Sequence, residues 1–332
     1  MSRVYIIAEA GINHNGNLDL ALDLCGEAKK SNADAIKFQT FITEKLVTRQ
    51  TVMAEYQKRN MGIVKTQYEM ARELELAYDD FTRIKKHCDN LGIDFLSTPD
   101  EEDSLEFLIS LGLQTIKIGS SEITNVPFLR KIGSKQVDVI LSTGMSTLTE
   151  VENAYSLLVN SGARSVALLH CTSDYPCAFE DVNLHAINAL QSTFGVKVGY
   201  SDHTQGIEIS LAAVAMGAEI IEKHFTLDRN LPGPDQKVSL EPFEFQVLTQ
   251  KIRNIEKALG NGVKEPAMAE LKTKSIVRKN IVARVAIRTG DLFTANNLTT
   301  KRSSGGIGAE KWDEVIGRKA IRDYEIDDTI DE

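Results

Sequence analysis

The sequence predicts an α/β protein in which a (β/α)₈ barrel is followed by a small β-rich domain. Eight short runs rich in β-branched residues are spaced along the chain, at 4–9, 35–39, 94–97, 115–118, 138–142, 165–170, 197–200 and 220–224. Segments with helical periodicity lie between most of these runs. Strands that alternate with helices pair in parallel through right-handed crossovers, and eight such units close into a barrel. An open doubly wound sheet is the alternative, which is disfavoured because no G-x-G-x-x-G string follows the first run.

Three of the intervening segments carry local helix signals. Asn17 is a favourable N-cap for a segment with one apolar face, formed by Leu18, Ala21, Leu22, Cys25 and Ala28. Thr147 likewise precedes a helical stretch that ends near Gly162. The segment 207–216 consists mostly of small and apolar residues, which favours a helix packed closely on a sheet.

One connection is much longer than the few residues of an ordinary strand-to-helix loop. It runs from Phe41 to about Ala77. Loops that follow the strands of such a barrel surround its active site, so this segment is a candidate lid. An insertion with a helix of its own and no catalytic role remains the alternative.

The chain changes character after residue 260. We expect a barrel over 1–260, a linker over 261–274 that Gly262 and Pro266 interrupt, and a second domain over 275–332. The second domain contains β-prone stretches at 276–277, 281–285 and 320–324, turns at 289–291 and 304–306, and the only tryptophan, Trp312. A unit of about 60 residues buries little surface by itself, so we expect it to dock onto another surface.

Composition excludes several classes of protein. The chain of 332 residues is 42% hydrophobic and 26% charged, as in ordinary globular proteins. Its net charge of −9 argues against a protein that binds bulk nucleic acid or anionic membranes. The apolar run before Glu9 is too short for a secretion signal or a membrane span. The four cysteines form no paired C-x-x-C pattern, so we expect free thiols and a cytoplasmic protein.

The charge is unevenly distributed along the chain. The stretch 271–302 has a local balance of +7, with Asp291 as its only acid. Its basic residues are Lys272, Lys274, Arg278, Lys279, Arg284, Arg288, Lys301 and Arg302. This stretch could help an acidic protein to present a positive site to a small anion, or it could be a solvated basic face.

Polar or ionisable residues follow every predicted barrel strand. In chain order they are Glu9; Lys37 and Gln39; Thr98; Lys117, Ser120 and Glu122; Ser142 and Thr143; His170 and Thr172; Ser201, Asp202 and His203; and His224. In barrels of this kind, catalytic groups lie at the carboxyl ends of the strands. Buried charges there cost free energy unless a ligand or partner binds them. We interpret these residues as a catalytic face rather than as solvated loop starts.

Two histidines of this face indicate a metal site. His203 and His224 follow the seventh and eighth predicted strands, which are neighbours in a barrel. Two imidazoles leave several coordination positions open, which suits a catalytic divalent metal better than a closed structural zinc site. A hydrogen-bonded role in the core is the alternative for each of them. His170 is an intermediate case, and we expect His14, His87 and His185 to be ordinary.

Two lysines of the same face indicate an anion site. Lys37 and Lys117 project from the second and fourth predicted strands, and hydroxyl donors and glycine amides lie near the strand ends, at Ser120, Ser142, Ser201, Gly119 and Gly144. Such groups bind a small, highly charged anion such as a phosphate ester with a carboxylate. Two alternatives stay open: internal ion pairs of the lysines with Glu9 and Glu122, and a Schiff-base lysine.

A stiff turn at 232–235 follows the eighth predicted strand. Its sequence is Pro-Gly-Pro-Asp, and it directs Asp235 toward the barrel mouth. Asp235 could hold sugar hydroxyls there. A purely structural turn is the alternative.

The strings around these residues resemble those of the sialic acid synthase family. They are, in order, AEAGINHNG, IKFQT, STP, KIGSSE, LSTGM, LLHCTSDYP, GYSDHT, EKHFTLD and PGPD. The C-terminal string VRKNIVARVAIRTGDLFTANNLTTKR is similar to that family's antifreeze-like (SAF) domain. The resemblance covers essentially the whole chain. It implies condensation of phosphoenolpyruvate with an open-chain N-acylated hexosamine, which yields a nonulosonic acid and phosphate.

The resemblance also implies roles for individual residues. The family binds a divalent metal, Mn or Mg, and its metal ligands match His203 and His224. The phosphoenolpyruvate contacts fall on Lys37, Thr98, Lys117, Ser120, Ser142 and Ser201, and the sugar contacts on Gln39, Glu122, Tyr175 and Asp235. Glu9 matches a glutamate of the acid–base steps, and Glu122 is the other candidate base. Ser173 stands where the family has a phosphate-contacting asparagine.

Other features of the family concern assembly and the acceptor sugar. A family arginine that reaches the acceptor in the partner subunit's barrel falls on Arg302, so the resemblance implies a domain-swapped homodimer. The AEAG, IKFQTF and GYSDHTQGIEISLAAVA strings look closer to bacterial legionaminic acid synthases than to N-acetylneuraminate synthases. We therefore expect a 2,4-diacetamido-2,4,6-trideoxy hexose as acceptor, with N-acetylmannosamine as the alternative. A Schiff-base aldolase and a non-catalytic carbohydrate- or ice-binding protein are more remote alternatives.

Overall fold

A computed structural model, which describes residues 3–62 and 64–331, confirms the eight-stranded parallel barrel. Every strand end differs from its predicted position by two residues or fewer. The strands are β1 Tyr5–Gly11, β2 Ala35–Thr40, β3 Asp94–Pro99, β4 Thr115–Ile118, β5 Asp138–Ser142, β6 Ser165–His170, β7 Val198–Asp202 and β8 Ile220–His224. Each of these strands is short and apolar on at least one face, as buried parallel strands are.

The strands form a nearly closed ring. Parallel ladders run in the order β3-β2-β1-β8-β7-β6-β5-β4, and β4 packs beside β3 where the ring closes. Glu9 on β1 is the register partner of Lys37 on β2 and of His224 on β8. This register brings three of the predicted site residues to one level of the barrel.

Helices cover the outside of the ring and occupy the connections. They are α1 Leu18–Lys30, α2 Thr43–Leu46, α3 Glu55–Met61, α4 Gln67–Leu74, α5 Tyr78–Leu91, α6 Glu102–Ser110, α7 Val126–Ser134, α8 Leu148–Asn160, α9 His185–Phe194, α10 Glu208–Ala215 and α11 Pro242–Leu259. The predicted caps are confirmed, because Asn17 accepts from the Asp19 amide and Thr147 from the Glu150 amide. Among the described residues, no helix is both long and apolar enough to cross a bilayer.

The interior of the barrel consists of an apolar layer below a polar layer. The apolar layer is formed by Ile7, Ala35, Leu96, Ile140, Leu169 and Ile220. Side chains two residues apart on a strand share a face. Two residues beyond five of these apolar residues, the same strands therefore carry Glu9, Lys37, Thr98, Ser142 and Glu222 on the inner face. The alternation of side chains along each strand thus places a charged layer directly above a buried apolar layer.

The long connection after β2 contains the helices α2, α3 and α4. The insertion therefore has helices of its own, which is compatible with both hypotheses for its role. Phe41, Met53, Met70 and Leu74 form a small apolar core of this segment together with Ile12 from the loop after β1. This core fixes the insertion to the carboxyl-terminal side of β1, where the candidate site lies.

The chain divides into two compact units, Met1–Gly260 and Asn261–Glu332. The second unit contains helix α12 (Met268–Val277), the antiparallel strands β9 (Lys279–Ala283) and β10 (Leu298–Arg302), and helix α13 (Trp312–Val315). Its own core is formed by Ile281, Ala283, Ile287, Phe293, Leu298, Ile307, Val315, Ala320, Tyr324 and Ile330. The domain predicted to be β-rich thus contains one two-stranded sheet, together with two helices and irregular chain.

Two local expectations for this region were wrong. The stretch 276–277 was expected to be β-prone, but it ends helix α12, which runs from Met268 to Val277 and begins within the predicted linker 261–274. Glu270 accepts a hydrogen bond from the Ala267 amide, and this local cap starts a helix that the β-branched Ile276 and Val277 do not interrupt. The stretch 320–324 forms no strand, although an isolated bridge joins Tyr324 to Ile287 and the Ala320 amide donates to the Asp291 carbonyl.

Candidate active site

The polar layer contains two lysines and two carboxylates in contact. Lys37 Nζ lies 2.7 Å from Glu9 Oε2 and 3.9 Å from Glu222 Oε2. Lys117 Nζ lies 3.3 Å from Glu222 Oε1, and all four side chains are buried. These groups come from the adjacent strands β1, β2 and β8 and from β4 across the barrel. The structure therefore brings both predicted lysines together at the bottom of the barrel mouth.

The charges in this cluster change one another's proton affinities. Burial alone lowers the pKa of Lys37, but the carboxylates of Glu222 and Glu9 more than offset this effect, so its pKa is raised. Burial raises the pKa of Glu222, but Lys117 and Lys37 outweigh it and bring the pKa to about 2. For Glu9, burial dominates and the pKa is raised, although Lys37 opposes this. Lys37 is therefore an ammonium, Glu222 a carboxylate, and Glu9 the carboxyl group that takes up a proton more readily.

Glu222 was missed by the sequence analysis. The sequence points to Glu9 and Glu122 as partners of the lysines, and the structure shows Glu9 and Glu222 instead. Glu122 is half-buried and accepts a hydrogen bond from Asn125 Nδ2 at 2.6 Å. The signal was present, since Glu222 stands two residues before His224 on one strand and must share its face.

Hydroxyl groups and a glycine border the lysines of the cluster. Lys37 Nζ donates to Thr98 Oγ1 at 3.1 Å, and Ser201 Oγ donates to Glu222 Oε1 at 2.8 Å. The Gly144 amide donates to Ser120 Oγ at 3.0 Å. A side chain at Gly144 would collide with Ser120, Cys171 and Ser173, so only glycine leaves this corner open. Ser142 ends β5 as a buried residue on the inner face.

The two predicted metal ligands lie side by side next to the cluster. The ring centroids of His203 and His224 are 5.5 Å apart. His203 Nδ1 donates to the Thr172 carbonyl at 2.7 Å, so Nε2, which lies 3.4 Å from Ser201 Oγ, carries the lone pair that can act as a ligand. The buried Nδ1 of His224 has no hydrogen-bond partner among residues 3–62 and 64–331. A neutral imidazole pair with one unpartnered buried nitrogen fits a divalent metal.

Proton affinities support the neutral state of both imidazoles. Burial lowers the pKa of His203 to about 4. Burial and then the neighbouring His203 lower the pKa of His224 well below its ordinary value. Within the described ranges, no three His, Cys, Asp or Glu side chains converge as a complete ligand set. The remaining coordination positions would therefore belong to water or substrate.

The other four histidines are not part of this pair, and only His14 departs from the ordinary environment expected for it: its buried Nε2 has no hydrogen-bond partner among the described residues, and burial lowers its pKa to about 4. His170 Nε2 is 2.6 Å from the Val182 carbonyl, on the outside of β6, which settles the intermediate case in favour of a structural role. His14 is buried and accepts from the Gly16 amide at 3.1 Å. His87 and His185 lie on α5 and α9, away from the strand ends. The four cysteines are free, as predicted.

The residues predicted to contact the sugar surround the histidines and Glu9. Gln39 Nε2 donates to Glu9 Oε1 at 3.4 Å. The ring of Tyr175 lies on His203, with centroids 4.1 Å apart. Asp235 is buried, and burial together with the charge of Glu9 raises its pKa to about 7 while Lys37 lowers it. Asp235 is therefore buried within electrostatic range of Glu9 and Lys37.

The insertion adds residues to this side that the sequence analysis does not assign. The rings of Tyr56 and Tyr175 have centroids 4.8 Å apart, and Arg59 donates to the Tyr175 carbonyl at 3.1 Å. Asn60 is buried and donates to the Pro234 carbonyl at 2.8 Å. The pKa of the Tyr56 phenol is raised by burial and next by the charge of Asp235. Helix α3 thus contacts both loops that carry predicted sugar contacts.

Arg302 belongs to the second unit and ends β10. It is exposed, and its register partner on β9 is Lys279. The basic stretch that contains it begins in α12 and continues through β9.

This arrangement favours anion binding over Schiff-base chemistry. A Schiff-base lysine must lose its proton to attack a carbonyl. The carboxylates of Glu9 and Glu222 stabilise the ammonium form of Lys37 instead. An ammonium pair with hydroxyls on one side, and an imidazole pair with Asp235 on the other, can hold an anion next to a metal-bound polar substrate.

Comparisons with known proteins match both units. The NeuB family model matches residues 24–264, and the SAF domain model matches residues 278–331. The N,N'-diacetyllegionaminic acid synthase of Campylobacter jejuni is 46% identical to the chain over 334 aligned positions, covering 100% of both proteins. The synthase of that name from Legionella pneumophila is 46% identical over 95% of this chain and 90% of its own.

A solved structure is similar as well. The N-acetylneuraminic acid synthetase of Leptospira borgpetersenii superposes with a TM-score of 0.72 at 38% identity, covering 82% of this chain and 90% of the other.

Proposed function

The chain belongs to the NeuB family and carries a SAF domain, and from this we propose that it condenses phosphoenolpyruvate with an N-acylated hexosamine. The products are a nonulosonic acid and free phosphate. The observation that carries the proposal is the buried Lys37–Glu9–Glu222–Lys117 cluster beside the His203–His224 pair. Two relatives that are synthases of such an acid match 100% and 95% of the chain.

Phosphoenolpyruvate would bind against the two ammonium groups. Its phosphate and carboxylate require several positive or hydrogen-donating groups, which Lys37, Lys117 and the Gly144 corner supply. Thr98, Ser120, Ser142 and Ser201 add hydroxyls at the same level of the barrel. Since these groups are held by strands, the anion needs little rearrangement of the protein to bind.

The acceptor would bind on the histidine side, between Tyr175, Asp235, Gln39 and Glu122. His203 and His224 would hold the divalent metal, Mn or Mg, which when bound supplies a Lewis acid for the acceptor aldehyde. The planar ring of Tyr175 and the carboxyl group of Asp235 offer an apolar face and a hydroxyl partner to a sugar chain.

The reaction forms one carbon–carbon bond and releases phosphate. Carbon 3 of phosphoenolpyruvate bonds to the aldehyde carbon, and the aldehyde oxygen takes up a proton and becomes a hydroxyl. Water adds at carbon 2 and loses its protons, the bond between carbon 2 and the phosphate oxygen breaks, and carbon 2 becomes the ketone of the product. Glu9 is the base we assign to the water proton, because its raised pKa suits a group that takes up a proton inside the site. Lys37, 2.7 Å away, stabilises its charged form before the proton moves.

For the acceptor we propose 2,4-diacetamido-2,4,6-trideoxymannose, which would make the protein an N,N'-diacetyllegionaminate synthase. Two relatives with that name are each 46% identical to the chain. N-acetylmannosamine is the alternative, which the similarity to the Leptospira synthetase favours. We further propose a cytoplasmic homodimer in which Arg302 of one copy reaches the acceptor in the barrel of the other.

Product analysis tests this proposal. The protein is incubated with phosphoenolpyruvate, Mn²⁺ and each candidate hexosamine, and phosphate release is followed while mass spectrometry identifies the product. We expect release only with an acceptor, and fastest with the diacetamido sugar. Faster turnover of N-acetylmannosamine would transfer the assignment to the alternative, and release without any acceptor would contradict condensation.

A further inference from the structure

A second buried ion pair lies directly behind the histidines. Lys223 Nζ is 2.9 Å from Asp202 Oδ2, and both side chains are fully inaccessible to solvent. The two residues are register partners on β8 and β7, next to His224 and His203 in the chain. Their neighbours Glu222 and Ser201 form the inner face, so the alternation of the strands places this pair on the outer face, below α10.

The pair binds the chain on both sides of His203. Asp202 Oδ1 accepts from the Thr204 amide at 2.9 Å and from Thr204 Oγ1 at 2.7 Å. Lys223 Nζ also donates to the Thr204 carbonyl at 2.5 Å. His203 therefore lies between Asp202 and Thr204, and the amide, hydroxyl and carbonyl of Thr204 are bonded to the side chains of Asp202 and Lys223.

Helix α10 closes the network from outside. Ser210 Oγ donates to Asp202 Oδ2 at 2.5 Å, and Ser210 itself is buried. Asp202 thus accepts from Ser210, Thr204 and Lys223, which satisfies its charge without water. A network with all its members satisfied is rigid, whereas an unpaired charge at this depth would force the strands apart.

Stability alone gives little reason for this arrangement. Replacing a buried ion pair with apolar side chains of similar size is often neutral or stabilising, because removing two charges from water is costly. The pair instead fixes the backbone at 202–204 and at 223. This backbone carries both imidazoles, so the pair sets their orientation. A fixed backbone matters most where two side chains must bind one small ion.

We infer that Lys223 and Asp202 are positioning residues for the metal site, an inference that rests on the proposed function of His203 and His224. They touch neither substrate nor metal. They hold the two imidazoles, whose ring centroids are 5.5 Å apart, in a relative orientation that binds a divalent cation. Loosening the pair should therefore weaken metal binding in a protein that still folds.

Metal binding by itself tests the inference, with Mn²⁺ as the probe and no substrate present. The signal of free Mn²⁺ in electron paramagnetic resonance gives the Kd for the wild type and for Lys223→Met. We expect the Kd to rise 10- to 100-fold in the variant, as is usual when groups behind metal ligands are removed. Ser210→Ala removes one hydrogen bond without leaving a charge unpaired, so it should fold and raise the Kd about fivefold.

Asp34→Asn provides the matched control. Asp34 accepts from Arg253 Nη2 at 2.7 Å and from the Ile6 amide at 2.9 Å, at the opposite end of the barrel. Thermal unfolding shows that the variants are folded, and Asp34→Asn should lower Tm while its Mn²⁺ Kd stays within about twofold of the wild type.

Two outcomes would contradict these proposals. If Lys223→Met and Ser210→Ala lower Tm as the control does but bind Mn²⁺ as tightly as the wild type, the pair is purely structural and the inference is wrong. Absence of Mn²⁺ binding by the wild type would instead overturn the proposed metal site.

Discussion

The ammonium group of Lys37 lies 2.7 Å from the carboxylate of Glu9, and the two residues are register partners on neighbouring strands. The register of β1 and β2 therefore sets the position of the ammonium group proposed to bind the anion, on Lys37, and of the carboxyl group proposed to take up a proton, on Glu9. Lys37 also lies 3.9 Å from Glu222, so its charge is shared between two carboxylates. An incoming anion can compete for an ammonium that is only partly neutralised by each of them.

Glu9→Gln should lower kcat by about 10² to 10⁴ with little change in the KM for phosphoenolpyruvate. The amide keeps the shape of Glu9 but cannot take up a proton, and general-base steps contribute on this order. Steady-state kinetics with both substrates measures the effect.

Glu122→Gln is the matched control for the choice of base. Glu122 is half-buried and bonded to Asn125, so its substitution should raise the acceptor KM and leave kcat within about tenfold. A larger loss of kcat in Glu122→Gln than in Glu9→Gln would reassign the base to Glu122.

Lys117→Met should raise the KM for phosphoenolpyruvate by about 10- to 100-fold. The substitution removes one charge-assisted contact of the anion, and such contacts contribute on the order of 1.5–3 kcal/mol. The control is Lys131→Met, which breaks an exposed ion pair with Glu102 on the outside of the barrel. Equal KM values for the two variants would show that Lys117 does not hold the anion.

The sequence predicts the barrel well because local patterns determine it. The exact bounds of β4, β5, β6 and β8 follow from β-branched runs between helical segments. The inner residues Lys37, Glu9 and His224 could be placed on one face because they follow or end apolar strands. Such patterns depend on neighbours in the sequence, so no tertiary contact was needed to find them.

Residues that depend on long-range packing could not be predicted in the same way. Tyr56 and Asn60 lie in an insertion whose position depends on a core shared with Ile12. Nothing in the local pattern of α3 shows that it contacts Tyr175 and Pro234. Glu222 is different, because period-two alternation from His224 would have identified it.

Tyr56→Ala should raise the acceptor KM by about 10-fold and change the KM for phosphoenolpyruvate little. Tyr56 packs on Tyr175 at a centroid distance of 4.8 Å, so its loss would free the ring that borders the acceptor. Aromatic pairs contribute about 0.5–1.5 kcal/mol beyond their buried area.

Tyr68→Ala is the control for Tyr56. Tyr68 lies on α4 of the same insertion and its hydroxyl donates to the exposed Glu44. Its substitution should leave both KM values unchanged. A matching rise in the phosphoenolpyruvate KM for Tyr56→Ala would mean that α3 supports the whole barrel mouth rather than the acceptor side.

Arg302→Ala should raise the acceptor KM if the SAF domain completes the site of another copy. A charged hydrogen bond to an amide oxygen predicts a rise of about 10-fold or more. Arg288→Ala, an exposed arginine of the same unit paired with Asp323, is the control and should have no effect. Unchanged kinetics for both variants, or full turnover after deletion of 275–332, would remove the second domain from the proposed mechanism.

His14 should make the folded state sensitive to acid. Burial lowers the pKa of His14 to about 4, whereas an unfolded histidine has a pKa of about 6.5. Between these values the unfolded chain binds more protons, so stability increases with pH across this window and is lost as the pH falls from 6.5 toward 4. The full difference corresponds to about 3 kcal/mol.

His14→Asn tests this prediction, because asparagine keeps an acceptor for the Gly16 amide but does not titrate. Urea unfolding at several pH values should therefore show a loss of stability that is smaller than in the wild type by about that amount. His185→Asn on α9 removes an exposed histidine and should leave the wild-type slope intact. A wild-type slope in His14→Asn would show that other buried groups, rather than His14, account for the loss of stability in acid.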